Sequence, residues 1–201
     1  HPYLGMFFLL FSGLCDTFDG KVARSKKDRT TQMKKFGIQI DSLSDLIAFG
    51  ILPACIGIAM LRYIMYIPDL SGFTKYILTH YNLQAQIVLT AIAVLYVLAA
   101  MIRLAYFNVM EEERQSKTEE NRKTYEGLPV TSVSLILPLF YSFRRDIGRI
   151  FPDLYAFLLL IIAIAFVTRF KLKKPKMKTM LIFVGVGGLE FLWLLFKYKI
   201  K

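Results

Sequence analysis

Residues 154–170 read LYAFLLLIIAIAFVTRF, and over 154–166 the apolar residues fall on every side of a helix. A helix packed on a soluble core keeps them to one stripe, with polar residues opposite. A segment apolar all round needs apolar surroundings all round. Working outward, five further runs share this character: 3–24, 37–61, 83–109, 128–143 and 180–196. A bilayer hydrocarbon core of roughly 30 Å takes about 20 mostly apolar residues per helix, and the longer runs meet that length. The sequence predicts an all-α, polytopic integral-membrane helical bundle of about six spans, one transmembrane domain over 1–201 with an extra closing span at 180–196.

The composition agrees. The chain has 201 residues, 55% of them hydrophobic, yet 26 Lys+Arg against 15 Asp+Glu give a formal charge of +11. Abundant large apolar residues exclude intrinsic disorder. Two cysteines, Cys15 and Cys55, exclude a disulfide scaffold and are expected to be buried free thiols. A basic soluble domain would suggest nucleic acid, but the mean hydropathy is +0.46. There is also no zinc-ligand spacing, phosphate loop or nucleic-acid motif, so no nucleic-acid partner is expected. No internal repeat and no signal-peptide pattern is visible. The chain starts at His1 and enters an apolar run almost at once. It is therefore expected to lack an N-terminal segment of up to a whole helix.

The positive charge is distributed unevenly among the connections. Lys21, Arg24, Lys26, Lys27, Arg29, Lys34 and Lys35 fall between the first two runs. Arg114, Lys117, Arg122 and Lys123 follow the third run, and Arg169, Lys171, Lys173, Lys174, Lys176 and Lys178 follow the fifth. These 17 basic residues share one side, against eight on the other. Lys and Arg accumulate in cytoplasmic loops, which makes the first group cytoplasmic.

Ionisable residues in membrane helices are expensive and mark function by default. Asp16 and Asp19 lie near the end of the first run, three apart; Asp41 and Asp45 lie near the start of the second, four apart. Those spacings put each pair on one helix face. Antiparallel neighbours joined by a short connection bring both pairs to one depth, just inside the cytoplasmic boundary. Four converging carboxylates repel one another unless cations hold them. All-oxygen ligands suit hard divalent ions such as Mg²⁺, and two ions about 3.5–4 Å apart suit four acids. The absence of His and Cys argues against zinc. Gly20, Ala23 and Gly37 form small-residue stripes beside the acids, and small residues admit a close helix or a bulky polar ligand. Arg24 adds a planar cation suited to phosphate. The combination implies a phosphorylated, lipid-linked substrate.

The run Asp16-x-x-Asp19-Gly20-x-x-Ala23-Arg24, then Gly37-x-x-x-Asp41-x-x-x-Asp45, resembles the signature of the CDP-alcohol phosphatidyltransferases. Eight fixed positions make the match specific. One departure is the twelve residues between Arg24 and Gly37, SKKDRTTQMKKF, longer than the family's usual spacing and read as a loop carrying an insertion. The flanking text is similar to the serine-accepting branch: Asp41-Ser42-Leu43-Ser44-Asp45, Phe49-Gly50, Pro53-Ala54, Arg103-Leu104-Ala105-Tyr106-Phe107-Asn108 and Gly127-Leu128-Pro129. The resemblance covers 14–132 and is silent on the last two runs.

The resemblance implies transfer of a phosphatidyl group from CDP-diacylglycerol to the hydroxyl of L-serine, releasing CMP. It implies two divalent cations, Mg²⁺ or Mn²⁺, held by Asp16, Asp19, Asp41 and Asp45, with Asp45 also the general base. Asp16, Gly20, Ala23, Arg24 and Gly37 would line the CDP site. Two other acceptors stay open, glycerol 3-phosphate and an inositol phosphate; their phosphate dianions call for more basic groups than Arg103 alone. A cation transporter also stays open, although it has no use for the Gly20-x-x-Ala23-Arg24 stripe.

Arg103 has two readings, a partner for the serine carboxylate or a lipid phosphate, and a side chain snorkelling to headgroups. Asn108 is a contact in the acceptor site or a helix end. Gly127-Leu128-Pro129 shapes the cavity mouth or turns into a helix. The residues 111–126 are expected as a solvated cytoplasmic loop and His80 as part of a non-cytoplasmic one. The 171–178 run is expected to set topology and attract anionic lipid. Glu190 lies in the closing run with Gly185, Gly187 and Gly188, which permit close helix packing, and a homodimer is expected.

Overall fold

The computed structural model describes residues 1–26, 28–65, 72–117, 124–173 and seven positions of the closing run: 185, 186, 188, 189, 192, 193 and 196. Helix α1 spans Pro2–Ser25 and α2 spans Thr31–Asp45. A π-helical segment, Leu46–Ile51, leads without a break into α3, Leu52–Met65. Helix α4 spans Gly72–Lys117, followed by strand β1 at Thr124–Glu126. After a 3₁₀ turn at Val130–Ser132 come α5 (Val133–Ser142), α6 (Arg144–Ile147), α7 (Phe151–Val167) and strand β2 (Lys171–Lys173).

Among the described residues the all-α expectation holds apart from one short ribbon. β1 pairs antiparallel with β2, Tyr125 opposite Leu172. Among the described residues two helical stretches, Thr31–Met60 and Gln86–Arg114, are long and apolar enough to cross a membrane by length and composition. Val130–Ser142 and Phe151–Val167 are apolar but shorter. At a rise of 1.5 Å per residue α5 covers about 15 Å and α7 about 26 Å, so these lengths do not add up to six equal spans. In Gln86–Arg114 only 33% of the apolar window is buried inside the protein. Val94, Leu98 and Ile102 of α4, with Phe157, Ile161 and Ile164 of α7, face outward. Water-exposed monomers rarely carry contiguous apolar surface on this scale; the outer face matches hydrocarbon.

The core lies where α4 packs on α7, α3 and the π segment, and where α1 packs on α3 and α5. Tyr96, Tyr155, Phe49, Phe151, Phe166, Met6, Leu9 and Leu137 fill it, all fully buried. Phe140 stacks on Phe151 with ring centroids 5.0 Å apart, and Tyr96 tilts against Phe166 at 5.7 Å. Gly13 lets α1 meet α5: a methyl group there would collide with Cβ and Oγ of Ser134, which is buried and donates to the Thr131 carbonyl at 2.7 Å. Gly13→Ala should therefore cost about 1–3 kcal/mol, the usual penalty for overpacking. A lowered thermal midpoint in detergent checks this.

Four expectations need correcting. The segment 25–36 is a loop only as far as Thr30. There the Thr30 hydroxyl accepts from the Met33 amide at 3.2 Å and caps α2, and the good helix formers Gln32, Met33, Lys34 and Lys35 continue it. The loop expected over 111–126 is helical through Lys117 and a strand at Thr124–Glu126. Glu111 and Arg114, one turn apart, pair at 2.6 Å on that helical extension. His80 belongs to α4 rather than to a loop. Cys15 and Cys55 are free thiols as expected, but exposed, because an apolar side chain in such a bundle can face outward as well as inward. Glu190, Gly187 and residues 174–184 lie outside the described residues.

Candidate functional site

The acid pairs sit on two helices that end and begin at the same end of the bundle. Asp16 and Asp19 occupy the last turns of α1; Asp41 and Asp45 occupy the last turns of α2, and Asp45 is its final residue. Helix α2 has no buried residue. Its polar, charged first half stands clear of the core, and the π segment after it enters the core with Phe49 and Gly50 buried.

Asp16, Asp19 and Asp41 each offer a carboxylate oxygen, and these oxygens lie within 4.8 Å of one another. Asp45 lies within electrostatic reach of all three. Asp16 and Asp45 are half-buried, Asp19 and Asp41 exposed. Three carboxylates at this separation form an all-oxygen donor set that fits a hard divalent cation and has no soft ligand for zinc.

The small-residue stripes accompany the acids. Gly20 and Gly37 are half-buried and Ala23 exposed. A methyl group on Gly37 would come within 3.1 Å of the Arg29 guanidinium, so a cation from the α1–α2 connection lies directly over the glycine one turn before Asp41. Sequence reasoning missed Arg29, because it belongs to the segment read only as an insertion. Arg24 lies on α1, and its side chain is outside the described residues.

The two α4 residues singled out for the acceptor behave differently. The Asn108 amide donates to the Ser42 hydroxyl at 2.7 Å, which ties α4 to the residue beside Asp41. Ser42 was also missed, since nothing in its spacing marks a polar partner on a distant helix. Arg103 is 6% exposed, so its side chain turns inward. Its Nε donates to the Leu128 carbonyl at 3.0 Å and an Nη to the Gly127 carbonyl at 3.2 Å. Gly127 has φ +77°, its amide donates to the Phe170 carbonyl at 2.6 Å, and an added Cβ would lie 2.9 Å from the Thr168 carbonyl. The Gly127-Leu128-Pro129 stretch is thus the turn into the 3₁₀ segment, where Pro129 precedes Val130. That turn is held by Arg103 on one side and the end of α7 on the other. Arg169 stacks over Tyr106 at 4.9 Å and fastens the same end of α7 to α4.

The family model for CDP-alcohol phosphatidyltransferases matches residues 1–169. Curated relatives carry the name CDP-diacylglycerol–serine O-phosphatidyltransferase. One from Saccharomyces cerevisiae is 32% identical over 150 residues, covering 73% of this chain and 44% of the relative. One from Helicobacter pylori is 28% identical over 136 residues, 68% of this chain and 45% of the relative. One from Methanocaldococcus jannaschii is 28% identical over 135 residues, 67% and 49% respectively. The chain thus spans just under half the length of the relatives it matches. With the eight-residue signature in place and its acids gathered at one end of an apolar helical bundle, the chain belongs to the CDP-alcohol phosphatidyltransferase family.

Proposed function

We propose that this chain transfers the phosphatidyl group of CDP-diacylglycerol to the hydroxyl of L-serine, giving phosphatidylserine and CMP. The observation that carries the reading is the convergence of Asp16, Asp19 and Asp41, with Asp45 beside them, at one end of apolar helices. The names of the three relatives support serine as the acceptor.

In this reading Asp16, Asp19, Asp41 and Asp45 hold two divalent cations, Mg²⁺ or Mn²⁺. Bound there, the ions would neutralise pyrophosphate charge and acidify the acceptor hydroxyl. Asp45 takes the hydroxyl proton on a carboxylate oxygen. The serine oxygen forms a bond to the lipid-side phosphorus as the bond from that phosphorus to the bridging oxygen breaks, and CMP leaves with the electron pair. In-line positioning carries most of such a transfer. Gly20, Ala23 and Gly37 let the nucleotide lie against the backbones of α1 and α2, and Arg24 meets phosphate. Asn108, fixed through Ser42, stands at the acceptor side, with Arg103 as the cation toward the serine carboxylate or a lipid phosphate. The wider arrangement proposed is one domain of about six spans, acids facing the cytoplasm, in a homodimer.

The test incubates the full chain in detergent with CDP-diacylglycerol, Mg²⁺ or Mn²⁺ and each alcohol in turn, and measures CMP release. Metal-dependent release with serine is expected. Release with glycerol 3-phosphate or an inositol phosphate but not serine would move the assignment to that acceptor. No release with any alcohol would sink the transferase reading and leave cation transport.

A further inference from the structure

The helix that carries Asp41 and Asp45 changes its winding directly after Asp45. In an α-helix the amide of residue 53 would bond the carbonyl of residue 49, but residue 53 is proline and has no N–H. The chain responds with the π segment Leu46–Ile51, in which the Leu52 amide bonds the Ile47 carbonyl five residues back. The Phe49 carbonyl that Pro53 cannot serve is buried, and the hydroxyl of Tyr96 on α4 donates to it at 2.6 Å. Tyr96 itself is 0% exposed. Gly50 follows, where an added Cβ would lie 3.4 Å from Cβ of Ala100 on α4. One turn further on, the Tyr155 hydroxyl of α7 donates to the Pro53 carbonyl at 3.0 Å.

We infer that Tyr96 is a positioning residue for the acid site, holding the π turn that sets the angle at which α2 presents Asp41 and Asp45. The mechanical argument comes from what α2 lacks. It buries no residue, so its orientation is inherited from the π segment, with Asn108–Ser42 as a polar tie nearer the acids. A π turn carries an extra residue and is commonly found at functional sites. If it relaxes to an α turn, the acid-bearing half rotates against the core-bearing half of the same helix. Tyr96 prevents this because its buried hydroxyl has the Phe49 carbonyl as its acceptor, and that carbonyl has no amide partner in the α register. Tyr155 caps the same proline from beyond the turn, so its hydroxyl holds α3 rather than the acids.

This inference rests on the transferase reading, and the experiment keeps the two apart. Tyr96→Phe and Tyr155→Phe are compared in the full chain in detergent by three readouts: melting temperature, Mn²⁺ binding by electron paramagnetic resonance, and kcat and KM for CMP release. Both variants leave one buried carbonyl without its hydroxyl and are expected to melt lower by similar amounts. Tyr96→Phe is expected to lower kcat by about 10- to 100-fold, the scale of a sub-ångström to 1 Å misplacement, and to weaken Mn²⁺ binding several-fold with little change in the KM for CDP-diacylglycerol. Tyr155→Phe is expected to stay within about threefold of the unaltered chain in both, since it lies beyond the turn. Adding Pro53→Ala to Tyr96→Phe returns an amide donor to Phe49, and should restore melting temperature without restoring kcat or Mn²⁺ affinity. Equal kcat and Mn²⁺ affinity in the two tyrosine variants would overturn the inference, as would recovery of both in the double variant. If the unaltered chain released no CMP, the transferase reading would fall, while the Mn²⁺ comparison would still decide whether Tyr96 positions the acids.

Discussion

Asp45→Asn is expected to slow CMP release by about 10²- to 10⁴-fold, the range that a positioned general base contributes. Some nucleotide binding and Mn²⁺ binding should persist. Asp45 ends α2 and is half-buried. It lies within electrostatic reach of Asp16, Asp19 and Asp41, but those three, without Asp45, form the group whose oxygens converge within 4.8 Å. An asparagine keeps the shape and one oxygen, so the helix and the three-acid group survive. Its amide cannot take up a proton from an attacking hydroxyl. Single-turnover CMP release beside Mn²⁺ titration makes the separation measurable. A rate like that of the unaltered chain would remove Asp45 from the role of base. Loss of Mn²⁺ binding as complete as the loss of rate would make it a metal ligand first.

Asp41→Asn should act in the opposite way on stability and on activity. Without cations the acids repel: two unit charges about 4 Å apart cost around 1 kcal/mol in water and more at a half-buried boundary. A carboxylate oxygen of Asp41 lies within 4.8 Å of one on Asp16 and one on Asp19, and Asp45 is within electrostatic reach. Neutralising it removes its repulsions with Asp16, Asp19 and Asp45. The metal-free variant is therefore expected to melt several degrees above the metal-free unaltered chain. Added Mn²⁺ should raise the melting temperature of the unaltered chain, by the linkage of binding to folding, and barely move that of the variant. CMP release should fall by more than about 100-fold, because transition-state charge loses its neutralising ions. A variant that melts lower without metal and is still stabilised by Mn²⁺ would show that Asp41 belongs to the fold rather than to a cation site. Sites that gather like charge for function commonly give up stability in this way.

The convergence of the acids was legible in the sequence. The spacings Asp16–Asp19 and Asp41–Asp45 each fit one helix face, and two helices joined by a short connection had to bring those faces to the same end. Three of the four acids do converge. What could not be read was how far each helix extends. The basic stretch after Arg24 looks like a loop by charge alone, yet Thr30 caps a helix there. The charged stretch after Val109 looks like a loop for the same reason, yet α4 runs on to Lys117. Charge density reports solvent, and helices continue into solvent wherever capping and propensity allow.

Arg103 illustrates a different limit. Its position in an apolar run marked it as exceptional, but its hydrogen bonds to Leu128 and Gly127 depend on a turn 24 residues or more away. The same holds for Asn108, whose partner Ser42 lies 66 residues back, and for Tyr96, whose partner Phe49 lies 47 residues back.

The sequence by itself determined the family and the gathering of the acids. Four aspartates, two glycine-bearing stripes and the apolar runs depend only on residue type and on the helical period, and both are local. The tertiary structure alone decided the angle of the site. Pro53 announces that Phe49 will lack an amide partner, but it does not say which hydroxyl will reach that carbonyl or how the helix will rewind around the gap. Those follow from how α4 and α7 pack against α3. Hydrogen bonds between distant segments form only once the core has brought them together, and no periodicity records them in advance.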